Sequence, residues 1–130
     1  MGRLRDRRSL LTKDRGQATL EYLGFLPILI LVALCGIQLG WTAYVVQQAQ
    51  TAARTAARVE ARKPEAGKAA GYAAIKESLR RSASIDIDKP GDAVTATVSI
   101  RIKSIVPGVG EASVTRTATM PNDDPKVTGP

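Results

Sequence analysis

The sequence of 130 residues contains no histidine and a single cysteine, Cys35. Metal sites built from cysteine and histidine need several such ligands, and Ser–His or Cys–His catalysis needs a histidine base. Neither chemistry is available to this chain. A lone cysteine also forms no intramolecular disulfide, so it carries no information about the redox compartment. We therefore expect no catalytic residues, no metal site and no cofactor.

Aromatic residues are equally scarce, with one Trp, one Phe and three Tyr. Four of these five lie between Tyr22 and Tyr44. Because aromatic side chains usually dominate core burial, the remainder of the chain has to build a thin core from Ala, Val, Ile and Thr. We expect a small domain of marginal stability that contact with a partner completes.

The formal net charge is +7, and the excess of basic residues is concentrated at one end. Residues 1–16 contain six basic and two acidic residues and therefore carry +4. Nowhere are bases interleaved with aromatics as on a nucleic-acid platform, so we expect no nucleic-acid partner. Lys and Arg next to an apolar span are typical of its cytoplasmic flank. Residues 1–16 are thus predicted to be a basic cytoplasmic leader, disordered in water.

Residues 22–46 form a run of 25 residues without a charge. As a helix this run is about 37 Å long, enough to cross a hydrocarbon core of about 30 Å. Trp41 and Tyr44 lie near its far end, where interfacial aromatics are expected. The sequence therefore predicts a single-pass protein of the cell membrane with a cytoplasmic N-terminus and an exported C-terminal part.

Small residues recur along the span and beyond it. Gly36 and Gly40 form a G-x-x-x-G pattern, which allows a second helix to approach closely. Good helix formers continue to Arg62, before Pro64, so we predict one helix of about 40 residues. Its alanine stripe needs a partner surface, either the chain's own hairpin or a neighbouring subunit. The arginines opposite are expected to form a solvated face rather than a contact with lipid headgroups or a partner. The stripe consists of Ala49, Ala52, Ala53, Ala56 and Ala57, and the arginines are Arg54, Arg58 and Arg62.

Glu21 is an acid at the entry to the span. An ionised carboxylate within a span costs roughly 2.5–3.5 kcal/mol, although a residue at the boundary reaches water more easily. One interpretation is therefore a boundary residue. The other combines it with Gly16: a cut after Gly16 would place a new α-amine on Gln17, one helical turn before Glu21. Amine and carboxylate at that spacing can pair within a chain or between neighbouring subunits.

The segment GQATLEY, residues 16–22, resembles the processing site of type IV pilin-like proteins: a glycine, four residues, then a glutamate. Glutamate followed directly by Tyr22 resembles the Tad (tight adherence) branch, and AARTAAR at residues 52–58 resembles TadE-like pseudopilins. The resemblance implies cleavage by a prepilin peptidase between Gly16 and Gln17. It also implies that Glu21 and Tyr22 guide recognition and assembly with other pilin-like subunits and the assembly platform. The implied role is structural and non-enzymatic, in a surface pilus or a related secretion filament.

The remainder of the chain predicts an α+β fold of pilin-like layout. A second short helix is expected over residues 65–82, weakened by Gly67 and Gly71. Strict alternation over residues 94–103, turn residues at 107–110 and a second alternation over residues 112–120 predict a C-terminal antiparallel β-hairpin. Residues 84–88 are a candidate edge strand.

Four segments follow from these patterns: the leader 1–16, a transmembrane and stalk helix 17–63, a small exported α+β domain 64–120 and a disordered tail 121–130. Two functions remain open beside the pilin-like one. An unprocessed single-pass accessory protein could bind a partner through its exported domain. An exported enzyme or substrate-binding protein is poorly supported, because no catalytic groups converge.

Overall fold

The longest element is helix α1, Arg3–Arg62. The computed structural model describes residues 3–123, with side chains from residue 16 onward. The helix is longer than predicted, because it begins within the leader, at Arg3. The leader has no proline, and its only glycine within α1 is Gly16. A helix nucleated elsewhere can therefore propagate through it, since elongation is far easier than nucleation.

The chain divides into two compact units, residues 1–37 and 38–130. In the first unit almost every side chain from residue 16 onward is exposed, and Pro27 lies within the helix. Among the described residues, α1 is the one helix long and apolar enough to cross a membrane, judged by length and composition. None of its most apolar window is buried within the chain, as expected of a surface that faces lipid.

The second unit contains the rest of α1, two short helices and a three-stranded antiparallel sheet in the order β1-β2-β3. The predicted α+β class and hairpin are confirmed, and the candidate edge strand is present as β1. The five elements after α1 are α2 (Gly67–Ala73), α3 (Glu77–Arg80), β1 (Ala83–Asp88), β2 (Ala93–Ile102) and β3 (Ala112–Pro121).

The predicted second helix is broken into α2 and α3. At the break Ile75 is buried, and Lys76 is extended with φ −55° and ψ 136°, which no helix accommodates. Arg80 closes the turn, because its Nε–H donates to the carbonyl oxygens of Tyr72 at 2.9 Å and Ile75 at 3.0 Å. The helix therefore ends where Ile75 enters the core, although Ala73 and Ala74 before it favour a helix.

The core lies between α1 and the inner face of the sheet. All the alternating apolar residues of β2 are buried, as the period of two predicted, and so is the whole alanine stripe of α1. The chain itself therefore supplies the partner surface of the stripe. Val45 is also fully buried, so the last turn of the uncharged run lies in this core. The buried residues of β2 are Val94, Ala96, Val98, Ile100 and Ile102.

The edge strand β3 is only half covered, and its inner face carries Arg116 opposite Val98. On the outer face, hydroxyl pairs join the two long strands, as between Thr95 and Thr119 at 3.0 Å. Backbone contacts continue past β3: the amide of Asp123 donates to the carbonyl oxygen of Ala61 at 3.2 Å. Residues 124–130 of the predicted tail lie outside the described residues.

Candidate processing and assembly segment

Gly16 and Gln17, the residues of the predicted cut, both lie exposed within α1. A Cβ added at Gly16 would meet no atom within 4 Å, so packing does not require glycine there. Glycine within a helix costs roughly 1 kcal/mol relative to alanine. Gly16 is therefore a local weak point of the helix in which the cut would fall.

Glu21 and Tyr22 are exposed on α1, directly before the apolar part of the helix. Glu21 follows Gln17 by four residues, so the two lie on one face, about 6 Å apart along the axis. In the part of the chain whose side chains are described, Glu21 has no ion pair. A carboxylate within a span is costly without a partner, whereas one at the boundary reaches water, and the spacing would allow an amine on Gln17 to pair with it in either case.

Gly36 and Gly40 are open to their surroundings, since an added Cβ at either position meets nothing within 4 Å. Each leaves the helix surface locally flat, as close helix approach requires. Ala52, Ala53, Ala56 and Ala57 differ, because they are fully buried within the second unit.

Two further glycines, Gly67 and Gly71 of α2, are buried against that alanine stripe. A Cβ at Gly67 would lie 2.7 Å from the backbone oxygen of Ala56 and 2.7 Å from Glu60 Cβ. One at Gly71 would lie 3.0 Å from Ala56 Cβ. Besides weakening the helix, these glycines allow α2 to contact α1. Their four-residue spacing, which Gly36 and Gly40 share, is the sequence feature that indicates close helix packing.

Glu60 is a structural residue that the sequence reasoning missed. It is 4% exposed, and Lys89 Nζ lies 2.7 Å from its Oε1. The amide of Glu65 donates to Oε1 and that of Gly67 to Oε2, each at 2.9 Å. Glu65 itself has φ 71°, a left-handed conformation that few side chains adopt readily. Glu60 thus ties together the end of α1, the start of α2 and the β1–β2 turn.

Burial raises the pKa of Glu60. The hydrogen bond from Lys89, the two backbone donors and the charge of Lys89 lower it, and together they exceed the effect of burial. The net pKa lies below its ordinary value, so the carboxylate is the stable form in the fold. Because Glu60 follows Ala56 by four residues and Ala57 by three, helical spacing alone placed it on the buried stripe.

A cavity of about 450 Å³ opens at the other end of the second unit, and its lining includes Trp41, Arg81, Arg101 and Lys103.

In the described part of the chain, no group of three or more His, Cys, Asp or Glu side chains could hold a metal ion.

Residues 16–58 match the family described as TadE-like protein. The match begins at Gly16, includes Glu21 and Tyr22, and ends with the arginine of the AARTAAR segment. Neither the curated proteins nor the solved structures contain a significant match. The resemblance drawn from the residues is confirmed over this segment. Over residues 16–58 the chain is therefore similar to TadE-like proteins, and the same segment contains the part of α1 that is long and apolar enough to cross a membrane.

Proposed function

We propose that this protein is a structural, non-enzymatic subunit, a minor pilin or pseudopilin, in Tad-type pilus assembly or a related secretion filament. The observation that carries the proposal is the TadE-like match, which starts at Gly16 and contains Glu21 and Tyr22. The +4 charge of residues 1–16 supports a cytoplasmic N-terminus, and the second unit is then exported.

In this proposal a prepilin peptidase cuts between Gly16 and Gln17. The weak point at Gly16 favours local opening of the helix, which exposes the backbone to a peptidase. The new amine of Gln17 then lies one turn from Glu21 of the same chain, or pairs with Glu21 of a neighbouring subunit. Gly36 and Gly40 offer a surface on which the helix of another pilin-like subunit can pack.

The mass of the protein isolated from the membrane tests the cut. We expect a chain that starts at Gln17, and we expect Gly16→Leu to retain residues 1–16. Leucine strengthens the helix and adds a bulky side chain directly before the scissile bond. Gly24→Leu is the matched control, because Gly24 is equally open but lies beyond the cut.

Retention of residues 1–16 in the wild-type chain would contradict processing and favour an unprocessed single-pass accessory protein. The same spectrum reports the state of Gln17. An N-terminal glutamine can cyclise with loss of ammonia, which removes the amine, so the mature mass shows whether an amine remains to pair with Glu21.

Glu21→Ala should insert into the membrane normally but assemble poorly. A charge-assisted hydrogen bond contributes about 1.5–3 kcal/mol, so its loss should lower incorporation into filaments by roughly tenfold to a hundredfold. Incorporation is measured by co-isolation with the other pilin-like subunits, and cleavage is followed in the same samples. Leu20→Ala is the control, since it changes the adjacent side chain and keeps the charge. Normal assembly of Glu21→Ala would show that the carboxylate has no pairing role.

A further inference from the structure

The loop between β2 and β3, residues 103–111, carries apolar side chains that the domain leaves uncovered. Ile105 is 49% exposed and Val109 is 58% exposed. The loop turns tightly, with the amide of Val109 donating to the carbonyl oxygen of Val106 at 3.2 Å and Gly108 at φ 82°. Exposure of these two apolar side chains to water is unfavourable, so a surface that covers them would be stabilising.

A direct contact holds this loop beside α1. The amide of Ile105 donates to Gln38 Oε1 at 3.0 Å. Gln38 lies less than one turn before Trp41, which is itself 41% exposed. The loop therefore lies at the end of the second unit where α1 enters it.

The length of the apolar run is that of a membrane span that ends near Trp41. The 19 steps from Tyr22 to Trp41 span about 29 Å along a helix, close to the thickness of a hydrocarbon core of about 30 Å. Val45, one turn after Trp41, is already in the core of the second unit. If the span starts at Tyr22, Trp41 and the loop beside it lie at the far interface.

Basic side chains surround the same place. The cavity of about 450 Å³ is lined by Trp41 and Leu79 together with Arg81, Arg101 and Lys103, against one acid, Glu111. The three cations are exposed and, among the side chains that the structure describes, none is in an ion pair. Exposed apolar residues, an interfacial Trp and a surplus of cations together match the headgroup region of an anionic bilayer.

We propose that residues 103–111 form a second membrane contact, in which Ile105 and Val109 enter the interface and Arg81, Arg101 and Lys103 bind the phosphate of anionic phospholipids. This inference rests on the membrane anchoring of the proposed function. The contact holds the second unit against the bilayer, so that the chain leaves the membrane only when both the span and the loop are released.

The test measures the depth of an environment-sensitive fluorophore on single cysteines of the full chain in nanodiscs. The discs contain either phosphatidylcholine alone or a mixture with phosphatidylglycerol. One label is placed on the native Cys35, one on Val109→Cys and one on Asp92→Cys, the last two in a Cys35→Ala background. Position 92 is the matched control, because it is exposed in the turn at the opposite end of the sheet, about 30 Å away along β2. Iodide reports exposure to water, and a nitroxide lipid reports contact with the bilayer.

In discs with phosphatidylglycerol we expect the label at 109 to be shielded from iodide and quenched by the nitroxide lipid, and the label at 92 to behave in the opposite way. Equal iodide quenching at 109 and 92, with Cys35 protected, would overturn the loop contact while leaving the anchor intact. A label on Cys35 that iodide quenches freely would overturn both. Equal shielding at 109 in the two kinds of disc would overturn the role of the anionic headgroup.

Charge variants give a second readout. A cation near an anionic surface favours the bound state about fivefold, so the double change Arg101→Gln and Lys103→Gln should lower the ratio of docked to free loop roughly 25-fold. The matched control is Lys63→Gln with Lys68→Gln, two exposed lysines near the other end of the unit. An unchanged depth at 109 in the first pair, or an equal loss in the control pair, would contradict specific headgroup binding.

Discussion

Glu60→Ala is expected to destabilise the second unit by about 3 kcal/mol. The substitution leaves the amides of Glu65 and Gly67 without their acceptor, and an unsatisfied buried donor costs about 1–3 kcal/mol. The amide of Gly67 is buried and that of Glu65 only partly buried, so the two costs together come to about 3 kcal/mol. Loss of the acceptors also frees Glu65 from the left-handed conformation that they help to hold. Urea unfolding of the full chain in detergent micelles, followed by circular dichroism, measures the change.

Lys89→Ala distinguishes the contribution of the ion pair from that of the hydrogen bonds between Glu60 and the amides of Glu65 and Gly67. The Lys89 side chain is 41% exposed, so water replaces much of what it gains from Glu60, and we expect a loss of about 1 kcal/mol or less. Glu111→Gln, an exposed acid, should be neutral. Equal losses for Lys89→Ala and Glu60→Ala would mean that the ion pair, rather than the backbone hydrogen bonds, carries the stability.

The same residue produces a pH dependence. The pKa of Glu60 in the fold lies below its ordinary value of about 4.5. Its contribution to stability is therefore complete above that value and is lost as the pH falls through the lower, folded pKa. Glu60→Gln should have a shallower loss of stability on acidification than the wild-type chain. Parallel pH profiles for the two chains would contradict this role.

Gly67→Ala is expected to cost about 2–3 kcal/mol. The new Cβ would lie 2.7 Å from the backbone oxygen of Ala56 and 2.7 Å from Glu60 Cβ, and neither atom can rotate away. Such overpacking typically costs 1–3 kcal/mol, and here it also disturbs the Glu60 hydrogen bonds. Gly71→Ala should cost less, because its closest neighbour is the end of the Ile85 side chain, at 2.7 Å, which can move.

Gly110→Ala is the matched control for these changes. An alanine Cβ at Gly110 meets nothing within 4 Å, so the substitution should be neutral or stabilise the chain slightly by restricting its unfolded state. The ranking of the three glycine variants is measured by thermal unfolding in the same micelles. A Gly67→Ala chain as stable as Gly110→Ala would show that α2 does not pack on α1 as described.

The features that the residues predicted correctly are those with a strong local period. Alternation from Val94 to Ile102 places every second side chain on one face, and an apolar face has to be buried, so strand and hairpin follow from the pattern. The same reasoning located the apolar span and the alanine stripe. The residues proposed for the processing segment, Gly16, Glu21 and Tyr22, are likewise defined by their spacing and by the apolar run that follows them, and their role stays a prediction.

Other features depend on which surfaces meet. The break falls where Ile75 is buried in the core, a tertiary contact that the helical pattern of residues 65–82 does not record. The glycines of α2 are poor helix formers by propensity, and only the packing of α2 against α1 gives them a structural role. Helical spacing places Glu60 on the buried stripe of α1. Its three hydrogen-bond donors, however, come from parts of the chain up to 29 residues away along the sequence.

The sequence by itself therefore determined the anchor, the hairpin and the segment that matches TadE-like proteins, because each depends on neighbours within a few residues. Only the tertiary structure decided where the helix after α1 breaks, what caps its start, and which loop lies beside Gln38. Those features depend on close contacts between distant segments, which residue spacing does not encode.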